Sequence, residues 1–246
     1  MNAESKSNTA KQIERELIKV SSKDKAKASS WFFKTGEGQY GFGDKFIGVR
    51  VPEQRSIAKR FEELPLTEIK ALLASEYHEC RLTALIILVA RYRKAEESYK
   101  KTIVNFYIEN ISRINNWDLV DSSASQILGN YLLDRDRKIL YKFAKSKVLW
   151  ERRIAIISTF AFIDRNEFED TLSISEILLN DDEDLIHKAV GWALREVGKK
   201  SKPTLLEFLD KHAASMPRTA LRYSIEHFNK PLRDKYMKKP VNPTNK

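Results

Sequence analysis

Similar local text returns along this chain at nearly even intervals. RLTALII begins at Arg81, RIAIIS at Arg153, KAVGWAL at Lys188 and RTALRYS at Arg218, and Trp117 stands at the matching place between the first two. Successive steps are 36, 36, 35 and 30 residues. A period of this size belongs to paired helices that cannot bury their apolar faces alone and must stack on their neighbours. Any all-helical bundle shows pairs of similar length, but the shared text at each start favours a true repeat.

The rest of the chain agrees. KQIERELIKVS and SSKDKAKASSWFFK read as two short helices. TGEGQYGFGDKFIGVRVPEQR then collects five of the eight glycines, Gly36, Gly38, Gly41, Gly43 and Gly48. That is loop chemistry, because glycine permits backbone angles that other residues avoid. It is neither a GxGxxG after a strand nor a Walker loop, so a nucleotide-phosphate cradle is not expected. Pro52 suits the first turn of a helix, and from there helical runs follow one another, with Gly, Pro, Asn and Asp between them. The expected fold is all-α: a right-handed α-solenoid of HEAT-like helical hairpins whose second helices line a concave face. Residues 1–236 read as one repeat domain, with N-terminal helices over 1–30 and the Gly-rich loop over 31–51. The basic, Pro-broken stretch 229–246 is expected to fray.

The formal net charge is +10. That excess favours a polyanion, nucleic acid being the commonest, although a basic surface with no such partner is the bland alternative. The one cysteine, Cys80, excludes an internal disulfide and a Cys-based zinc finger. It lies in the apolar run ECRLTALIILVA and reads as a buried structural thiol. The four histidines form no HExxH or His-x3-His pair, so neither a metal nor another cofactor is expected. The N-terminus lacks the apolar core of a signal peptide, and no apolar run reaches membrane-spanning length. A reducing, cytoplasmic compartment fits.

The repeat register selects side chains. Its first position carries Arg81, Trp117, Arg153, Lys188 and Arg218; four residues on stand Leu85, Asp121, Ile157, Trp192 and Arg222. Four residues is about one helical turn, so both sets share a stripe. Trp117, Asp121, Arg153, Lys188, Trp192, Arg218 and Arg222 should line one surface, basic, with two tryptophans and a single carboxylate. The alternative is that its Arg and Lys are ladder residues bonding loops between repeats, the reading we prefer for Arg81.

Arg and Lys on such a face bind phosphates, and Arg153 could fork onto one. Tryptophan faces attract cations. A carboxylate there is electrostatically wrong unless something positive visits it. For a metal ion the other ligands are missing, because Asp118 points roughly 100° away from Trp117. A cationic substrate fits: a purine alkylated at N7 or N3 is positively charged, and breaking its glycosidic bond develops oxocarbenium charge on the sugar. At roughly 4 Å and an effective dielectric of about 20, Asp121 would contribute about 4 kcal/mol, roughly a thousandfold in rate.

The glycine loop FFKTGEGQYGFGDKFIGVRVPEQR, WDLVD, WERRIAI and HKAVGWALRE together resemble the DNA alkylation repair family, the AlkD-like HEAT-repeat DNA glycosylases, over roughly residues 30–228. The resemblance implies a concave DNA-binding face and removal of 3-methyladenine and 7-methylguanine from duplex DNA as a step of base excision repair, without a base-flipping pocket. It places Trp117 and Asp121 at the lesion sugar, Arg153 on the DNA backbone and Trp192 in the catalytic group. It gives Phe32 the part of an aromatic near the lesion. Where the family loop reads GIxTPERR, this chain reads Gly48-Val49-Arg50-Val51-Pro52-Glu53-Gln54-Arg55.

The expectation is therefore a monofunctional alkylpurine DNA glycosylase, monomeric, nucleoid-associated and independent of metals and membranes. Asp121, Trp117 and Trp192 are its expected catalytic residues. Arg153, Lys188, Arg218, Arg222, Arg50 and Phe32 are its expected DNA contacts. The other reading is a HEAT-like scaffold that holds DNA or a protein and catalyses nothing.

Overall fold

Helix N-caps and prolines set where several of the elements begin, and apolar stripes set which way they face. The computed structural model describes residues 8–238. Among them every regular element is helical, and extended pairing is confined to one isolated bridge between Lys45 and Tyr77. No helix among the described residues is long and apolar enough to cross a membrane. The chain divides into two compact units, Met1–Ser123 and Ala124–Lys246, where the sequence reads as one domain.

Unit 1 holds α1 (Ala10–Lys19), α2 (Lys23–Phe32), α3 (Val51–Arg60), α4 (Leu66–Leu73), α5 (His78–Lys94), α6 (Glu97–Glu109) and the start of α7 (Trp117–Ala124). A capping box opens α1: Thr9 Oγ1 accepts from Gln12 N, and Gln12 Oε1 accepts from Thr9 N at 2.9 Å. Pro52 lies in the first turn of α3, where its fixed φ costs nothing. Helix α5 is the core of the unit. It buries Leu82, Leu85, Ile87 and Leu88, which point around most of its circumference, so α3, α4 and α6 can all pack on it. Each such side chain contributes about 2 kcal/mol of transfer free energy. Cys80 lies among them, and burial pushes its thiol up to about 12, which makes it the inert structural thiol the sequence suggests.

Unit 2 contains α8 (Lys138–Ala144), α9 (Leu149–Ser158), α10 (Phe160–Asp164), α11 (Glu169–Leu178), α12 (Asp184–Lys200), α13 (Lys202–His212), α14 (Arg218–Ser224) and α15 (Lys230–Met237). Helices α8 and α9 form one hairpin and α11 and α12 the next, and the second helices α9, α12 and α14 pack side by side. Helix α12 buries Ile186, Ala189, Val190, Ala193, Leu194 and Val197, a stripe with helical period. Gly191 interrupts that stripe for a reason of space. A Cβ there would stand 2.5 Å from the Ala220 carbonyl oxygen and 2.5 Å from Tyr223 Cβ, so only glycine lets α14 come this close.

Three expectations are corrected. The repeat register does not mark helix starts throughout, because α5, α9 and α12 begin at His78, Leu149 and Asp184, several residues before Arg81, Arg153 and Lys188. The run LWERRIAIISTFAFID, one of the helical runs expected after Pro52, breaks into α9 and α10 at Thr159, whose hydroxyl donates back to the Ile156 carbonyl at 2.7 Å. Much of the tail expected to fray is ordered: Asn229 caps α15, and Tyr236 is buried and donates to Asp210 at 3.1 Å. The remainder of that tail, 239–246, lies outside the described residues.

Candidate nucleic-acid interface

Helix α7 presents Trp117 in its first turn and Asp121 one turn later on the same face, both half-buried. The chain turns into the helix at Asn116, whose side-chain oxygen accepts from Trp117 N at 2.8 Å. The indole is held on several sides. Phe33 stacks on it at 5.2 Å and 22°, Phe32 meets it edge-on at 5.9 Å, and its Nε1 donates to the Tyr40 hydroxyl at 3.2 Å. Behind Phe33 the rings continue: Phe46 stacks at 5.0 Å, and the His78 imidazole stacks on Phe46 at 4.6 Å.

His78 anchors this pile. It is 2% exposed, its Nδ1 lies 3.1 Å from Asp44 and its Nε2 lies 2.8 Å from Asp118. Burial alone would drive its pKa down. Hydrogen bonds and charge from Asp118 and Asp44 outweigh burial and push it up to about 9, so both ring nitrogens carry protons at neutral pH. Asp44 also accepts from Arg81 and from Asn116 Nδ2, at 2.9 Å for the latter. Burial would raise its carboxyl, but these partners hold it below its ordinary value.

The N-terminus of α5 grips the glycine-rich loop by the backbone as well. His78 N donates to the Lys45 carbonyl at 2.8 Å. The buried Glu79 carboxylate accepts from three successive amides, those of Ile47, Gly48 and Val49, at 3.1, 2.7 and 3.3 Å. Gly48 has φ +80°, and a Cβ there would meet the Ser22 carbonyl oxygen at 2.1 Å. The loop thus does form an anion nest, but the protein's own carboxylate fills it. Arg50 follows at the N-cap of α3 and is exposed.

On its buried side α7 is tied to α6. Ser123 Oγ donates to the Leu119 carbonyl at 2.6 Å, which leaves it to accept from Tyr107 Oη at 3.0 Å. Burial first, and then the charge of Asp121, hold the Tyr107 phenol above its ordinary pKa, against the Ser123 hydrogen bond.

Unit 2 carries the other expected residues. Trp192 is half-buried, packs edge-on against Phe160 at 4.6 Å and donates to Glu196 at 3.2 Å. Lys188 pairs with Asp184 at 2.7 Å, one turn away on α12. Arg218 donates to the Met237 carbonyl at 2.9 Å, a cation placed on the C-terminal end of α15. Arg222 is exposed. Arg153 lies deeper than its place in the register suggests. It is 5% exposed and its Nη1 donates to the Leu185 carbonyl at 2.6 Å, bracing α9 against α12 in the manner of a ladder residue. Arg81 in unit 1 is also buried, and donates to the carbonyls of Ser75 and Glu76 in the turn that leads into its own helix and to Asp44 of the glycine-rich loop.

The register therefore brought Trp117 and Asp121 together on one helical face, and Phe32 stands against Trp117. It missed Phe33, His78, Asp44 and Tyr40, whose contacts with Trp117 or with one another bridge distant parts of the sequence. Asp118, set aside because it points away from Trp117, turns toward His78 for that same reason.

The sequence profile of one family, DNA alkylation repair enzyme, matches residues 13–228. Solved structures share the fold. A protein from Enterococcus faecalis, described as a predicted DNA alkylation repair enzyme, is 18% identical, with 85% of this chain and 97% of that one covered and a TM-score of 0.69. AlkD2 from Streptococcus mutans is 17% identical, with 89% and 97% covered and a TM-score of 0.53. No curated protein matches the chain. With a profile match that spans most of its length, over a helical architecture shared with these structures, the chain belongs to the DNA alkylation repair enzyme family, whose partner is DNA.

Proposed function

We propose that this protein is a monofunctional DNA glycosylase that releases cationic alkylated purines, 3-methyladenine and 7-methylguanine, from duplex DNA. The observation that carries the reading is Asp121, a half-buried carboxylate one turn from a stacked indole in a protein of net charge +10. An anion costs a phosphate-binding surface affinity, so its use lies in meeting a cation. In the alkylated nucleotide the base already carries positive charge and leaves without being protonated. As the bond from C1′ to the base nitrogen breaks, the electron pair goes to the base and positive charge moves to the sugar. Asp121 stabilises that charge and orients the water whose oxygen bonds to C1′, and the water's proton passes to the carboxylate or to solvent. Trp117, fixed by Phe33 and Tyr40, offers its face to the same charge, and Trp192, on unit 2, takes its catalytic part from the family resemblance alone. Exposed Arg50 and Arg222, with Lys188 and Arg218, take phosphates. Within unit 2, Arg153 supports Lys188 by holding α12 in place.

The test is to mix the protein in excess with methylated duplex DNA and measure free methylated bases by mass spectrometry. Release by the wild type, with none from Asp121→Asn at equal or higher affinity for undamaged DNA, is the expected result. Binding without release by the wild type leaves the scaffold reading in its place.

A further inference from the structure

Trp117 stands between two residues that are tied to one buried cluster. Before it, Asn116 donates from Nδ2 to Asp44 at 2.9 Å. After it, Asp118 lies 2.8 Å from His78 Nε2, while His78 Nδ1 lies 3.1 Å from Asp44. The imidazole reaches Trp117 by a second route as well, because it packs at 5.0 Å on Phe33, which in turn stacks on the indole. Asp121 follows Asp118 by three residues, less than one turn further along α7. Arg81, itself buried, completes the cluster by donating to Asp44. Two carboxylates and two cations thus meet where α5, the glycine-rich loop and the start of α7 come together. Such a group is a weak source of net stability, because taking charges out of water offsets their mutual attraction. What it fixes is direction, since every hydrogen bond is made in one arrangement. Histidine suits the central place. Its ring is small and flat, and when protonated it carries a donor on each nitrogen. Neutral imidazole keeps one donor, and one of the two carboxylates then faces a lone pair.

We propose that His78 is a positioning residue for base release: held between Asp44 and Asp118, its imidazolium sets the first turn of α7, and so the aim of the Trp117 face and the Asp121 carboxylate at the lesion sugar. This role rests on the DNA-glycosylase reading and adds to it a group that touches neither the DNA nor the reacting atoms. A fixed charge helps only while it is aimed at the place where transition-state charge forms, and a shift on the order of 1 Å costs up to roughly a hundredfold in rate. The charged groups that face the imidazole are Asp44 from the glycine-rich loop, with Arg81 of α5 behind it, and Asp118 from α7. Phe33 and Phe46 pack on its ring. Because these carboxylates hold the proton up to about pH 9, the clamp is closed at neutral pH, and release should fall as pH climbs through about 9.

The test follows single-turnover release of 7-methylguanine from methylated duplex against pH, less the rate without protein. In parallel, fluorine NMR of protein carrying 5-fluorotryptophan follows Trp117 with no DNA present, its signal being the one that Trp117→Phe removes. Circular dichroism checks the fold at each pH. In the wild type, release and the fluorine signal should turn together near pH 9. Asp118→Asn keeps an acceptor for Nε2 and removes a charge that holds the proton. Both of its curves should therefore turn at lower pH, with the wild-type rate kept below the turn. His78→Gln donates from one end only. It should slow release by roughly ten- to a hundredfold and leave affinity for undamaged duplex unchanged. A wild-type pH profile in Asp118→Asn, or a full rate in His78→Gln, overturns the positioning role. So does a His78→Gln protein whose affinity for undamaged duplex falls in step with its rate. Release absent from the wild type, with the Trp117 signal still tracking the imidazole, overturns the glycosylase reading and leaves the clamp on α7 standing.

Discussion

The indole of Trp117 lies nearly parallel to the phenyl ring of Phe33, 5.2 Å between centroids and 22° apart. Phe33 is the C-cap residue that follows α2 and Trp117 stands in the first turn of α7, so two elements far apart in sequence fix one ring. A stacked aromatic pair contributes about 0.5–1.5 kcal/mol beyond the area it buries. Phe33→Leu keeps most of the apolar volume and loses the stack. We expect base release to slow by up to about tenfold with duplex affinity within about twofold, because the stack orients a group rather than binding phosphate. Single-turnover release compared with anisotropy on undamaged duplex checks this. A drop in affinity matching the drop in rate would make Phe33 a DNA-binding element instead.

His78 gives the fold a pH dependence whose sign can be worked out. Its pKa rises from about 6.5 in the unfolded chain to about 9 in the fold. The folded state therefore holds the proton more tightly, and the stabilisation is fully present below about pH 6.5 and lost as pH climbs through about 9. The groups facing the imidazole are Asp44, itself bonded to Arg81 and Asn116, then Asp118 on α7, and the rings of Phe33 and Phe46. The full window is worth about 3 kcal/mol. Urea unfolding of the wild type near pH 6 and above pH 9 should show that loss, and His78→Gln should start lower and show little of it. Parallel curves for the two proteins would mean that the imidazole does not bear this charge.

What the sequence discloses here, and what it hides, follows from the distance between partners. The helices were legible because their signals are local: Thr9 with Gln12, Pro52 in a first turn, and the six-membered stripe from Ile186 to Val197. Trp117 and Asp121 were legible as a pair because one turn of one helix joins them. The His78 clamp was not, since its two carboxylates stand 34 and 40 residues away and no periodicity links them. Arg153 shows the limit of register. It occupies the same repeat position as Trp117, yet it lies several residues into α9 and faces α12, where a guanidinium is drawn to the Leu185 carbonyl. Position in a repeat fixes the column of a side chain, and burial then depends on where its helix starts.

That difference between column and burial separates two arginines by experiment. Arg153→Ala removes a buried side chain and the charge-assisted hydrogen bond it makes from α9 to the Leu185 carbonyl of α12, a change that costs about 1.5–3 kcal/mol. Arg222 is exposed, so Arg222→Ala should leave stability within about 0.5 kcal/mol. On DNA the order reverses. Taking one cation away from a phosphate lowers the slope of log affinity against log salt by about one. Arg222→Ala should show that decrease, whereas Arg153→Ala should weaken binding, if at all, with the slope of the wild type. Thermal melts and salt titrations of the two variants make the comparison. A reduced slope and an unchanged melting temperature for Arg153→Ala would return Arg153 to the phosphate-gripping role that its place in the repeat first suggests.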